Sequence, residues 1–95
     1  LLISYQNIIK MIRQKYNITF ATYQNSQYVI SDCSDITFIN TGTTDAFING
    51  FKLVSGASIG FTCQNNEIDT TKYTLTFTST TIANNSVSVI KKIFV

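Results

Sequence analysis

The segment Ala46–Phe47–Ile48–Asn49–Gly50–Phe51–Lys52–Leu53–Val54 reads as two short strands joined by a two-residue turn. Asn followed by Gly is the strongest short hairpin signal, because both residues tolerate the positive φ that a type I′ turn requires. On the C-terminal side, Ser55–Gly56 turns the chain again, and Ala57–Thr62 supplies another strand with Ile59 and Phe61 on one face. On the N-terminal side, Ile36–Asn40 is a β-rich run that ends at Thr41–Gly42–Thr43.

The same period of two continues in both directions. Tyr73, Leu75 and Phe77 alternate strictly with Thr74, Thr76 and Thr78, the pattern of a half-buried strand. Ala83–Asn85 is a turn, and Val87–Val95 is the last strand, with Val87, Val89, Ile93 and Val95 on one face that Lys91 interrupts. Toward the N-terminus, Ile18, Phe20 and Thr22 alternate with Thr19, Ala21 and Tyr23. Asn25–Ser26 then reads as a turn that lets Tyr28–Ser31 return as a second strand. Short strands at this spacing predict a mostly β chain, a small antiparallel β-sandwich or barrel of about seven or eight strands. No internal repeat or linker interrupts residues 1–95, which predicts a single domain.

Before Ile18 the period is helical. Leu1, Leu2, Tyr5, Ile8, Ile9, Ile12 and Tyr16 recur at spacings of three and four, predicting one N-terminal amphipathic helix over about residues 2–16. Lys10, Arg13 and Lys15 fall in its last turns, where cations favour the negative end of the helix dipole, a reading preferred here to anion binding. The sequence offers this helix no partner helix, so its stripe is expected to pack on the β part or on a neighbouring subunit. Replacing Ile8 and Ile12 with Asp is then expected to block assembly or to destabilise the fold.

Composition narrows the function classes. The chain has 95 residues, 44% hydrophobic and only 13% charged, about half the usual charged share. Its polar surface must come from Thr, Ser, Asn and Gln, and a surface so sparsely charged resists association poorly. The absence of Pro removes one usual guard of exposed sheet edges. Lys91, on an otherwise apolar face of the last strand, has the character of an edge guard. With a net charge of +2 and dispersed basic residues, no nucleic acid is expected as a partner. No run approaches the ~20 apolar residues of a membrane span, and Leu1–Met11 lacks the layout of a signal peptide, so a soluble chain is expected. Its first residue is Leu, as in a trimmed or processed chain.

The parts for catalysis are missing. With no His, the chain lacks the commonest general base and the commonest metal ligand. No G-x-S-x-G, G-x-x-x-x-G-K-[ST] or G-x-G-x-x-G motif occurs. Asp32 with Asp35, or Glu67 with Asp69, has the proximity of an acid–base pair or a Ca²⁺ site, but solvated loop carboxylates explain them better. Asn17–Ile18–Thr19 and Asn84–Asn85–Ser86 match the glycosylation sequon, a match expected by chance in a chain this rich in Asn and Thr. Cys33 and Cys63 either pair as one disulfide or serve as small buried apolar residues. No enzyme activity, cofactor or metal is expected. Tyr23 and Tyr28, flanking Asn25–Ser26 with Gln24 and Gln27 nearby, form a candidate stacking platform for a sugar ring. A cross-strand aromatic pair stabilising a hairpin is the preferred reading of the two.

The runs I-T-F-I-N-T-G-T from Ile36, I-N-G-F-K-L-V-S-G-A-S-I-G-F from Ile48 and N-E-I-D-T-T-K-Y-T-L-T-F from Asn66 carry a resemblance. Residues 36–77 resemble small virion structural proteins of tailed phages that infect Bacteroidetes. The resemblance covers less than half of the chain and consists mostly of hairpin chemistry. It implies a non-enzymatic structural subunit of a bacteriophage head (capsid), neck or tail, assembled in the cytoplasm of the bacterial host. Its partners would be other virion proteins and copies of itself. The expected interface residues are Tyr5, Ile8 and Ile12 on the helix, with Lys91 and Phe94 on the last strand. The alternative is a carbohydrate-binding or receptor-binding module using Tyr23 and Tyr28.

Overall fold

The computed structural model describes residues 15–64 and 66–95. Eight strands follow in order: β1 (Tyr16–Tyr23), β2 (Gln27–Ile30), β3 (Asp35–Asn40), β4 (Ala46–Ile48), β5 (Phe51–Leu53), β6 (Ser58–Thr62), β7 (Lys72–Phe77) and β8 (Val87–Phe94). A single 3-10 turn, Ile82–Asn84, precedes the last strand. The strands make two four-stranded antiparallel sheets. Sheet A has the order β1-β8-β3-β6 and sheet B the order β2-β7-β4-β5.

The strands form where alternation meets turn chemistry. Between β4 and β5, Asn49 and Gly50 take φ of 50° and 82°, the two positive values of a type I′ turn. Alternation then places one row of five strands inside the sandwich: Ile36 and Phe38 of β3, Ala46 and Ile48 of β4, Leu53 of β5, Tyr73 and Leu75 of β7, and Val87 and Val89 of β8, whereas β1 and β6 bury no residue fully. Val29 of β2 and Cys33 complete this core. Phe38 meets Tyr73 edge-on, with ring centroids 5.0 Å apart, and Phe61 stacks on Tyr73 at 5.5 Å. Both contacts cross from one sheet to the other and lock their spacing.

Two buried asparagines hold one end of the sandwich. Asn40 occupies the inward position after Ile36 and Phe38 and is fully buried. Its Nδ2 donates to the carbonyls of Thr44 and Leu53, both at 2.8 Å, and its Oδ1 accepts the Gly42 amide at 3.0 Å. Asn85 donates to the Ser79 carbonyl at 2.9 Å and accepts the Thr44 hydroxyl at 2.9 Å. Gly42 lies so close beneath this loop that a Cβ there would come within 2.4 Å of the Asn84 carbonyl oxygen.

Three expectations change. The N-terminal helix falls almost wholly outside the described residues, and its expected last residue, Tyr16, is the first residue of β1. No α-helix occurs among the described residues. β1 and β2 do not form a hairpin, because they belong to different sheets and Gln24–Ser26 carries the chain from one to the other. Lys91 guards no edge, because β8 lies between β1 and β3. Its side chain faces inward opposite Ile36, and its ammonium reaches across to donate to the Ile30 carbonyl of sheet B.

Candidate assembly surface

Strand pairing fixes what the outside of sheet A presents. Val87 and Val89 point into the core, so Ser88, Ile90, Lys92 and Phe94 point out, and residues opposite one another share a face. Phe20 lies opposite Ile90, Ile18 opposite Lys92, and Tyr16 opposite Phe94. Ile39 and Thr37 of β3 continue the same face. β1 therefore turns its more apolar row outward: Tyr16 is 52% exposed, Ile18 45% and Phe20 74%. Phe94 meets Tyr16 edge-on at 6.4 Å, and the Lys92 ammonium lies 4.5 Å from the Tyr16 ring centre. The result is an apolar strip running from Tyr16 and Phe94 to Phe20 and Ile90, with one cation along it. The outer face of sheet B is more polar along its middle: Lys72, Thr74 and Thr76 alternate along β7, Tyr28 and Ile30 of β2 are exposed opposite Thr74 and Lys72, and the Lys72 ammonium sits 4.0 Å over the Tyr28 ring.

The edges differ as well. β2 and β5 are edge strands of four and three residues. Lysines stand beside them: Lys72 opposite Ile30, and Lys52 within β5, which pairs with Asp45 at 3.4 Å. β6 has five residues and carries Gly60. β1 has eight residues, Tyr-Asn-Ile-Thr-Phe-Ala-Thr-Tyr, with no charge, no Pro and no Gly. A long, uncharged, exposed edge is a template for pairing with another strand. Its hydrogen-bonding groups can be assigned. The Val95 amide donates to the Lys15 carbonyl at 2.9 Å, which makes Lys15 and Val95 a hydrogen-bonded pair. Such pairs alternate along an antiparallel ladder. Asn17, Thr19, Ala21 and Tyr23 therefore bond to β8, while Tyr16, Ile18, Phe20 and Thr22 direct their N–H and C=O groups to the open side.

Of the expected interface residues, Phe94 lies in this strip and Lys91 lies half-buried on the opposite face of β8; Tyr5, Ile8 and Ile12 are outside the described residues. Tyr23 is partly buried against the core and ends β1 in sheet A, whereas Tyr28 is exposed on sheet B beneath Lys72. The two tyrosines share no strand pair and no face. The sequence reading passed over Ile18, Phe20 and Ile90. Their signal lay in the alternation of β1, but which of its two rows faces out is set by the pairing of Ala21 with Val89 and of Tyr23 with Val87.

The polar clusters are structural in geometry. The Tyr73 hydroxyl donates to Asp69 Oδ2 at 2.6 Å, and the Thr71 amide donates to Oδ1 at 2.8 Å. The Ser31 hydroxyl lies 2.7 Å from the Asp69 carbonyl oxygen and 3.1 Å from Oδ1. Paired backbone bonds between Cys33 and Asp69 complete a clip that ties the β2–β3 link to the segment entering β7. Burial pushes the Asp69 carboxyl up, but the hydrogen bonds from Tyr73, Thr71 and Ser31 outweigh it and hold it below its usual value. Burial, then the bond to Asp69, pushes the Tyr73 phenol up to about 12, so its proton is not available near neutral pH. Asp35 accepts the Cys63 amide at 3.3 Å, a bond between the start of β3 and the end of β6, and Glu67 accepts the Gln64 amide at 2.7 Å in a local turn.

Cys33 and Cys63 are free thiols; Cys33 is buried and its pKa is raised to about 11, mainly by desolvation. No group of three His, Cys, Asp or Glu side chains close enough to share a metal occurs among the described residues. A cavity lined by Asp32, Cys33, Ser34, Ile68, Ile93 and Phe94 has a volume of ≈ 60 Å³, far below the roughly 300–1,000 Å³ of a typical small-molecule site. Among the described residues no helix is long and apolar enough to cross a membrane.

Comparison with known proteins adds no relative: no family model matches the chain, and neither a curated protein nor a solved structure resembles it significantly.

Proposed function

We propose that this chain is a non-enzymatic structural subunit that works by assembling with copies of itself and with other proteins. The observation that carries this reading is the exposed apolar strip on sheet A, bordered by the uncharged eight-residue edge of β1. Phe20, Ile18, Tyr16, Ile90 and Phe94 expose apolar area that a partner would remove from water at roughly 25 cal/mol per Å². The open backbone groups of Tyr16, Ile18, Phe20 and Thr22 would give the contact direction and register. Such a surface joins proteins; it offers no concave pocket for a small substrate. On the resemblance carried by residues 36–77, the assembly is a phage particle and the chain a component of its head, neck or tail.

Light scattering of the purified chain over a range of concentrations tests the reading. Mass that rises above the monomer with concentration supports it. A clean monomer at every concentration overturns self-assembly as the working mode.

A further inference from the structure

We infer that the partner on the β1 edge is β1 of a second copy, joined about a twofold axis that passes through Thr19. The inference rests on the assembly reading above and names its contact. Antiparallel partners directly opposite each other share a face, so a twofold that keeps the apolar strips on one side must pair residues whose numbers sum to an even value. The open hydrogen-bonding groups belong to Tyr16, Ile18, Phe20 and Thr22, so these must oppose one another. Pairing Tyr16 with Thr22 of the second copy, and Ile18 with Phe20, satisfies both conditions and engages all four residues from each chain. Two hydrogen bonds form at each such pair, and Thr19 faces its own copy across a non-hydrogen-bonded position.

The side chains suit this register. Ile18 and Phe20 of each copy meet across the seam, flanked by Ile90 on either side, so the two strips become one. Like charges stay apart: the two Lys92 side chains are separated by three strand spacings, about 14 Å, beyond the screening length at physiological salt. No charge on β1 itself opposes pairing. The other three edges serve less well, because β2, β5 and β6 are only four, three and five residues long, against eight for β1. The product is a continuous eight-stranded sheet in which neither β1 edge remains open.

Self-cross-linking tests the axis. In a Cys63→Ser background, Thr19→Cys and Thr22→Cys are each incubated with oxidised glutathione. Directly opposed non-hydrogen-bonded residues have Cα atoms about 4.5 Å apart, within disulfide reach, whereas the two Thr22 positions lie six residues apart along the seam, roughly 20 Å. Thr19→Cys should convert the chain into a disulfide dimer and Thr22→Cys should not. Adding Phe20→Lys to Thr19→Cys should abolish the dimer while leaving the melting temperature of the reduced chain in dilute, monomeric solution unchanged, because Phe20 is 74% exposed in the single chain. Association by light scattering with no Thr19→Cys cross-link overturns the twofold and leaves assembly through another surface standing. A monomer with no cross-link at any concentration, as would follow if residues 1–14 covered the edge, overturns both.

Discussion

Asn40→Leu removes the polar joint of the fold while keeping a side chain of similar volume. Asn40 is fully buried on β3, and its amide serves three backbone groups: the Thr44 and Leu53 carbonyls and the Gly42 amide. The Leu53 carbonyl bond lies wholly inside, where a lost partner costs about 1–3 kcal/mol, while water can reach the other two groups and limit their loss to roughly 0.5–1.5 kcal/mol each. Burying the leucine side chain offsets about 1–2 kcal/mol. At the middle of these ranges the net expectation is a loss of about 2–3 kcal/mol, a large fraction of the roughly 5–10 kcal/mol expected of so small a domain. At about 4–8 °C per kcal/mol the melting temperature should fall by roughly 10–25 °C. Urea denaturation followed by circular dichroism reads this as a lower midpoint with an unchanged slope. Asn40→Asp is the diagnostic companion: its carboxylate faces two carbonyl oxygens, so it should be worst near neutral pH and recover as acid restores one O–H donor. Asn40→Leu within about 0.5 kcal/mol of the parent chain would refute the claim that this side chain organises the loop end, because that is the range of an inconsequential surface change.

The remaining predictions concern close approach and protons. Gly42→Ala places a Cβ 2.4 Å from the Asn84 carbonyl oxygen and 2.7 Å from the Ser86 nitrogen, both backbone, so it should cost about 1–3 kcal/mol in urea denaturation. Gly50→Ala meets no atom within 4 Å and should cost only the strain of positive φ, about 1–2 kcal/mol. Because the folded state raises the Cys33 and Tyr73 pKa values, their contribution is complete below the unfolded values of 9.0 and 10.0. It is lost as pH rises through about 11 and about 12. Tyr73→Phe should flatten the upper part of this alkaline decline in a melting series. Asp69 has the opposite sign: its lowered pKa adds stability above the ordinary carboxylate range that disappears as pH falls through the folded value. Asp69→Asn should therefore shrink the acid sensitivity of melting.

Much of the fold was legible because it is local. Asn49–Gly50 requires positive φ twice, and the alternation of Tyr73, Leu75 and Phe77 identifies their strand wherever it lies in a sheet. What sequence did not carry is which strands pair. Gln24–Ser26 has the composition of a hairpin turn, yet it crosses between sheets, because Val29 and Tyr73 meet in sheet B while Ala21 and Val89 meet in sheet A. Lys91 looked like an edge guard because a charged residue on an apolar face suggests solvent. In the structure its half-buried stem runs along the inward face of β8 and its ammonium finds the Ile30 carbonyl of the other sheet. Asn40 had a readable signal, since a period of two from Ile36 and Phe38 puts it inside. For the candidate surface, the alternation of Ile18 and Phe20 was visible, but its outward direction depends on long-range pairing that no local pattern encodes.

The claim that β1 is the working edge is tested most directly by amide hydrogen exchange, residue by residue, in dilute and concentrated solution. Asn17, Thr19 and Ala21 donate to β8 and should be protected equally in both. Tyr16, Ile18, Phe20 and Thr22 should exchange freely when dilute and slow markedly when concentrated, as a second strand takes up their amides. Equal rates for these four amides at both concentrations, whether fast or slow, would contradict the account.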